Sequence, residues 1–132
     1  MPYLEKSKMS QFEDSIAWQK SKTLSIEIYR IFSNSRDFGF RDQIQRASVS
    51  VMNNIAEGFE RQSNKDFQRF LFFAKGSCGE VRSRLVLAQS LGYIDLKQYD
   101  ELHQLTKETS QLLSKFIISL NVERSTLYEV RK

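Results

Sequence analysis

Two acidic residues, Glu57 and Glu80, are the positions from which chemistry is most readily built in this 132-residue chain. Carried on neighbouring helices they can approach each other, and facing carboxylates serve as an acid–base pair or as metal ligands. The rest of the chain supplies little for such work. Di-metal bundles take a Glu-x-x-His motif from each of two helices, and no E-x-x-H occurs here. His103 is the only histidine and reads as a surface or structural residue. Cys78, the only cysteine, falls on an apolar row, where a thiol behaves as a small hydrophobe. The run GSCG, residues 76 to 79, lacks the lysine of a phosphate-binding loop. No catalytic residue, cofactor or metal is therefore expected. Asn54, Glu57, Ser77 and Glu80, with Arg46 and Arg61, read as a polar network that either fixes helix register or forms a binding site.

Charge points toward binding. The chain carries a net +4. Residues 61 to 92 hold Arg61, Lys65, Arg69, Lys75, Arg82 and Arg84 against Asp66 and Glu80, so this segment alone matches the excess of the whole. These six cations, with Arg46, are the candidate contacts to phosphates, because a basic surface suits an acidic partner such as nucleic acid. Binding of that kind is largely independent of sequence and falls steeply with salt. Stacking platforms for single strands are not signalled, since most phenylalanines fall on inner rows. The single cysteine excludes an internal disulfide framework and a multi-cysteine zinc site. The N-terminal MPYLEKSKMS has no signal-peptide core, and no apolar run approaches membrane-spanning length. A reducing cytoplasm is the expected compartment.

The elements that would position these residues are helices. One proline and five glycines leave long stretches unpunctuated. The spacing predicts a first helix from about Gln11 to Ser33, opened by a Ser10–Glu13 capping box or by Asp14. Its inner row is Ala17, Ser21, Leu24, Ile28 and Ile31, supported by Trp18 and Phe32. A second helix, from about Phe40 to Glu57, buries Ile44, Ala47, Val51 and Ile55. Gln43, Arg46, Ser50, Asn54, Glu57 and Arg61 line its edge, and it ends at Gly58 in a left-handed turn. The third starts at Ser63, with Asp66 three residues on, and closes at Gly92. Its heptad seam is Phe67, Leu71, Ala74, Cys78, Val81, Leu85 and Ala88. Asp95 and Gln98 box the start of the fourth, whose seam is Tyr99, Leu102, Thr106, Thr109, Leu113, Phe116 and Leu120. Four such helices on short loops make an all-α, antiparallel up-down four-helix bundle over residues 11–120. An N-terminal extension (1–10) precedes it, and a tail (121–132) either extends the last helix or frays.

The third helix has a second apolar face. Phe72, Gly76, Gly79, Ser83, Val86 and Ser90 recur at heptad spacing away from the seam, with Phe73 and Leu87 beside them. Glycine within a helix costs about 1 kcal/mol relative to alanine, so Gly76 and Gly79 imply close approach of another backbone. That backbone belongs either to a neighbouring helix of the same bundle or to a second subunit meeting Phe72, Phe73, Gly76, Gly79 and Ser83.

The segments FEDSIAWQK, QIQRASVSVMNNIAEG, the S-x-K-D-F-x-R-F-L run and A-x-GS-x-x-E, followed by LGYI, resemble the four-helix-bundle proteins called 23S rRNA intervening-sequence proteins. The resemblance spans roughly Phe12 to Leu120 and is most specific in NIAEG, Asn54 to Gly58, and GS-x-x-E, Gly76 to Glu80. It implies small bacterial bundles that assemble as ring-like homo-pentamers. It also implies kinship with the accessory protein of diversity-generating retroelements, a basic pentamer that binds nucleic acid and a reverse transcriptase. The chain departs from the family pattern at Met52, where proline and a kink are usual, at Gln45 and Ser15, and at Arg82, which replaces a frequent acid. The expected function is a non-enzymatic oligomeric scaffold that binds nucleic acid, RNA foremost. The competing reading is an adaptor for a protein such as a reverse transcriptase.

Overall fold

The computed structural model describes residues 9–131, with side chains over 9–121, so most of the expected N-terminal extension lies outside the described residues. Four helices follow in order: α1 (Ile16–Phe32), α2 (Phe38–Phe59), α3 (Asn64–Ser90) and α4 (Leu96–Arg131). No strand occurs among the described residues. Each helix packs on its neighbour in the chain and α4 closes against α1, giving the antiparallel bundle. At 1.5 Å per residue α3 is about 40 Å long and α4 about 54 Å. The tail over 121–131 continues α4 rather than breaking from it.

The seams are buried as their spacing requires. All seven apolar positions of the α3 seam lie in the core, and Cys78 sits among them. On α4, Leu102, Thr106, Thr109, Leu113, Phe116 and Leu120 are buried while Tyr99 lies at the margin. On α1 the innermost terminal residue is Phe32 rather than Ile31, which packs at the edge. The apolar core divides into two clusters. One is centred on Phe67, Leu71 and Phe116, and the other on Ile28, Phe32 and Leu85. Buried Ser21, Ser48, Thr106 and Thr109 each donate to a carbonyl three or four residues earlier in their own helix.

Three boundaries differ from expectation. The residues before α1 form a 3₁₀ turn, Phe12–Asp14. Ser15, not Ser10, caps α1 by accepting from the Trp18 amide. Asp14 instead accepts from the Ser10 amide and hydroxyl. Helix α2 starts earlier, capped by Asp37 on the Phe40 amide at 3.1 Å, and runs unbroken through Met52, where no proline removes a backbone donor. It also continues past Gly58, which is not left-handed; only Gly92, with φ 76°, is. The reason for Gly58 is space. A Cβ there would meet Phe70 Cβ at 2.8 Å, Phe67 Cδ1 at 2.9 Å and the Phe67 carbonyl oxygen at 3.3 Å. The caps of the later helices are as expected. Ser63 accepts from the Asp66 amide, and Asp95 and Gln98 each accept from the other's backbone.

The two loops at one end of the bundle are tied together. Tyr93 Oη donates to Asp37 at 2.7 Å, and its ring stands edge-on to Phe40 at 5.4 Å. The phenol's hydrogen bond and then the Phe40 amide hold the Asp37 carboxyl below its ordinary range. The same bond holds the Tyr93 phenol above its own.

Two outcomes follow from these contacts. Gly58→Ala should destabilise the fold by about 1–3 kcal/mol, as overpacking does, because a neighbouring Cβ and a backbone carbonyl cannot swing aside. Denaturant unfolding measures it, and an unchanged midpoint refutes the close approach. Tyr93→Phe should lower Tm near neutral pH. The Asp37 contribution is present above its unfolded value and fades as pH falls through the lowered native one. The Tyr93 contribution is present below its unfolded value and fades as pH rises through the raised one. The Tm difference between wild type and variant should therefore shrink below about pH 4 and above about pH 10.

Candidate nucleic-acid interface

The polar residues singled out by spacing do not form one network. The Asn54 amide donates to the Ser50 carbonyl at 2.8 Å and to Ser50 Oγ at 3.1 Å, while the Ser77 hydroxyl donates to Ser50 Oγ at 3.1 Å. Ser50 is thus the hub of an α2–α3 bridge that holds Asn54 and Ser77 but neither acid. Spacing places it in the polar row midway between Arg46 and Asn54, but only the packing of α3 makes it a bridge. Glu57 pairs with Arg61 and Glu80 with Arg84, each at 2.9 Å. Gly58 is level with Phe70, so Glu80 lies ten residues further along α3, about 15 Å at 1.5 Å per residue. The two acids are too far apart to share a proton or a metal.

The other groups considered for chemistry are placed structurally. Burial pushes the Cys78 thiol up to about 12 against the opposing charge of Lys75, so no thiolate is available near neutral pH. His103 stacks on Tyr99, with ring centroids 5.3 Å apart. Among the described residues no group of three or more His, Cys, Asp or Glu side chains is arranged to hold a metal.

The basic residues divide between two flanks of α3. On the α2 side, Arg61 pairs with Glu57, Arg69 with Asp66 at 3.7 Å, and Arg84 with Glu80. Arg61 and Arg69 also lie over the Phe70 ring, at 4.7 and 5.2 Å. All three cations on this flank therefore stand beside a carboxylate. Lys75 turns the other way, toward α4, and donates to the Ser114 hydroxyl. Arg82 is one heptad further along the same line, and Lys65 lies near the outer face; both are exposed. Lys65, Lys75 and Arg82 enter no ion pair among the described residues. Arg46 stands apart on α2, in a shallow depression with Tyr29, Asp42 and Asn53.

Between the two flanks runs the apolar stripe. Phe72 is 58% exposed, Phe73 49%, Val86 50% and Leu87 47%. Among the described residues, nothing beyond α3's own backbone and the adjoining residues lies within 4 Å of where a Cβ would stand at Gly76 or Gly79. The glycines therefore do not admit a helix of the same bundle, which removes one of the two readings of this face. Apolar side chains this open along one line are unusual on a lone subunit.

A family model described as 23S rRNA-intervening sequence protein matches residues 13–115. A solved structure of a protein of unknown function, from the S23 ribosomal protein family of Bacteroides thetaiotaomicron VPI-5482, is 28% identical with a TM-score of 0.73. The likeness covers 77% of this chain and 98% of that one. No curated protein matches the chain. No helix among the described residues is long and apolar enough to cross a membrane.

Proposed function

Because the chain belongs to the 23S rRNA-intervening sequence protein family, we infer that it is a non-enzymatic helical scaffold that binds RNA electrostatically and assembles through the outer face of α3. The observation that carries the binding reading is the uneven pairing of charge. Acids neutralise the arginines on one flank of α3, while Lys65, Lys75 and Arg82 have no acid partner among the described residues. Positive charge left uncompensated on a rigid helix attracts a polyanion and releases its condensed counterions. The family's description, which names 23S rRNA, makes RNA the first polyanion to test.

Self-assembly is supported by the stripe. Gly76, Gly79 and Ser83 leave a shallow furrow on α3, flanked by exposed Phe72 and Val86. A second copy laid along it would bury the rings and let helix backbones approach closely. A ring-like homo-pentamer is the form proposed, in keeping with the resemblance of the sequence. It would multiply the net +4 of each subunit fivefold. The catalytic alternative loses its only acid pair, since Glu57 and Glu80 are separately engaged.

Two measurements test this reading. RNA affinity should fall steeply with salt, with a log–log slope of about −0.7 for each single-strand phosphate contacted. An absence of binding at low salt would overturn the RNA assignment and favour a protein partner. The native mass should be near five times the 15.5 kDa of one chain. Gly76→Leu should reduce it to the monomer while the helical circular dichroism persists; an unchanged native mass rules out assembly through this face.

A further inference from the structure

The contacts between α3 and α4 fix a register that reaches beyond the residues they touch. Gln68 Nε2 donates to the Ile117 carbonyl at 3.1 Å and to the Asn121 side chain. One heptad further along α3, Lys75 donates to Ser114, which is one heptad earlier on α4. Antiparallel helices keep such a pairing at every heptad step. The next rung therefore sets Arg82 against Lys107, and the one after it Gln89 against Asp100. Two rungs close with hydrogen bonds. The third sets two cations on facing lines.

Among the described residues nothing neutralises that rung. One helical turn from Arg82 stand Cys78, Gly79, Leu85 and Val86, and one turn from Lys107 stand His103, Gln104, Ser110 and Gln111. Neither cation has an ion pair among the described residues, and Arg82 and Lys107 are both exposed. The adjacent acids are engaged elsewhere: Glu80 holds Arg84 on the α2 side, and Glu108 holds Lys20 on the α1 side at 2.9 Å. Asp100 is a full heptad from Lys107, about 10.5 Å along the axis. Like charges across a helix pair repel unless an anion lies between them, and an anion there gains from both.

We propose that Arg82 and Lys107, with Lys75 one rung away, seat a backbone phosphate of RNA in the α3–α4 groove. The proposal rests on the RNA-binding reading and adds the site, including a residue of α4. Between the Lys75 and Arg82 rungs the register places Gly79 and Ser110. A glycine and a hydroxyl leave the groove open and polar, without the buried aromatic anchor of a protein hot spot. A phosphodiester needs no such anchor. It needs charge-assisted donors, which Lys75, Arg82 and Lys107 supply.

The test uses Arg82→Gln, Lys107→Gln and the double variant, titrated with a fluorescent twelve-nucleotide oligouridylate across a salt series. Lys97→Gln is the control for loss of one exposed α4 charge. Each lost phosphate contact should weaken binding about fivefold at 0.1 M salt and flatten the slope by about 0.7. Lys97→Gln should stay within about twofold. Wild-type binding that the double variant retains, with the same slope, overturns the site while leaving the scaffold reading intact. Should wild type bind no RNA, the scaffold reading fails, and inorganic phosphate then probes the rung alone. A Tm rise in phosphate over chloride at equal ionic strength, absent from the double variant, would keep an anion seat but overturn RNA as its occupant. No phosphate-specific rise overturns the seat itself.

Discussion

The closeness of α2 to α3 at Gly58 is the constraint on which the rest of the bundle depends. With a hydrogen in place of a methyl, α2 lies directly on Phe67 and Phe70. Phe67 is thereby driven into the core against Phe116. Phe70 is left at the margin, where Arg61 and Arg69 cover its ring. The same contact sets the register of the pair, so that Ser50 meets Ser77 two turns further along. Once α2 covers that side of α3 and α4 the other, the outward line of α3 has no neighbour left among the described residues. The exposure of Phe72, Gly76, Gly79 and Val86 is thus a consequence of how tightly the two flanks close.

That arrangement also sorts charge. Glu57 of α2 and Asp66 and Glu80 of α3 serve the α2 flank, and each holds an arginine three or four residues on. Exposed pairs of this kind add little stability, but they cancel the field of that flank. The α4 flank has hydroxyl and amide partners instead, which satisfy hydrogen bonds without removing charge. A modest net charge can in this way leave one groove strongly basic while the opposite flank is nearly neutral.

Much of this was legible in the residues. The α3 seam, the Ser63 cap, the Asp95–Gln98 box and the stop at Gly92 all rest on local spacing, and local spacing decides them. The ion pairs were legible too, since Glu57–Arg61 and Glu80–Arg84 are four apart and Asp66–Arg69 three apart. Summing charges along the segment hid them, because a sum does not record which face each charge takes. What local spacing could not decide was anything set by a second helix. Gly58 stands where a C-terminal glycine would, yet the residue is required by atoms nine and twelve positions away. At the start of α1, Ser10 and Ser15 offer similar capping chemistry, and Ser15 prevails because the 3₁₀ turn before it folds Asp14 back onto Ser10. Lys107 carries no local signal, because only the register of α4 on α3 sets it opposite Arg82.

The ladder and the stripe are adjacent lines on one helix, since Lys75 is three and four residues from Phe72 and Gly79, and Arg82 three and four from Gly79 and Val86. An assembly built on the stripe would therefore bring a cationic groove to the rim of every subunit contact. Closed symmetry repeats such a groove once per subunit at fixed spacing. A single phosphate seat on an exposed groove is weak by itself, because each contact competes with the counterions it displaces. Several seats on one rigid ring act on the same strand at high effective concentration, and avidity then exceeds the affinity of any one of them without a new contact. On this physical account the apolar stripe and the basic groove are coupled in function although they share no side chain. Assembly would set how many phosphates one strand can engage, and the groove would set what each engagement is worth.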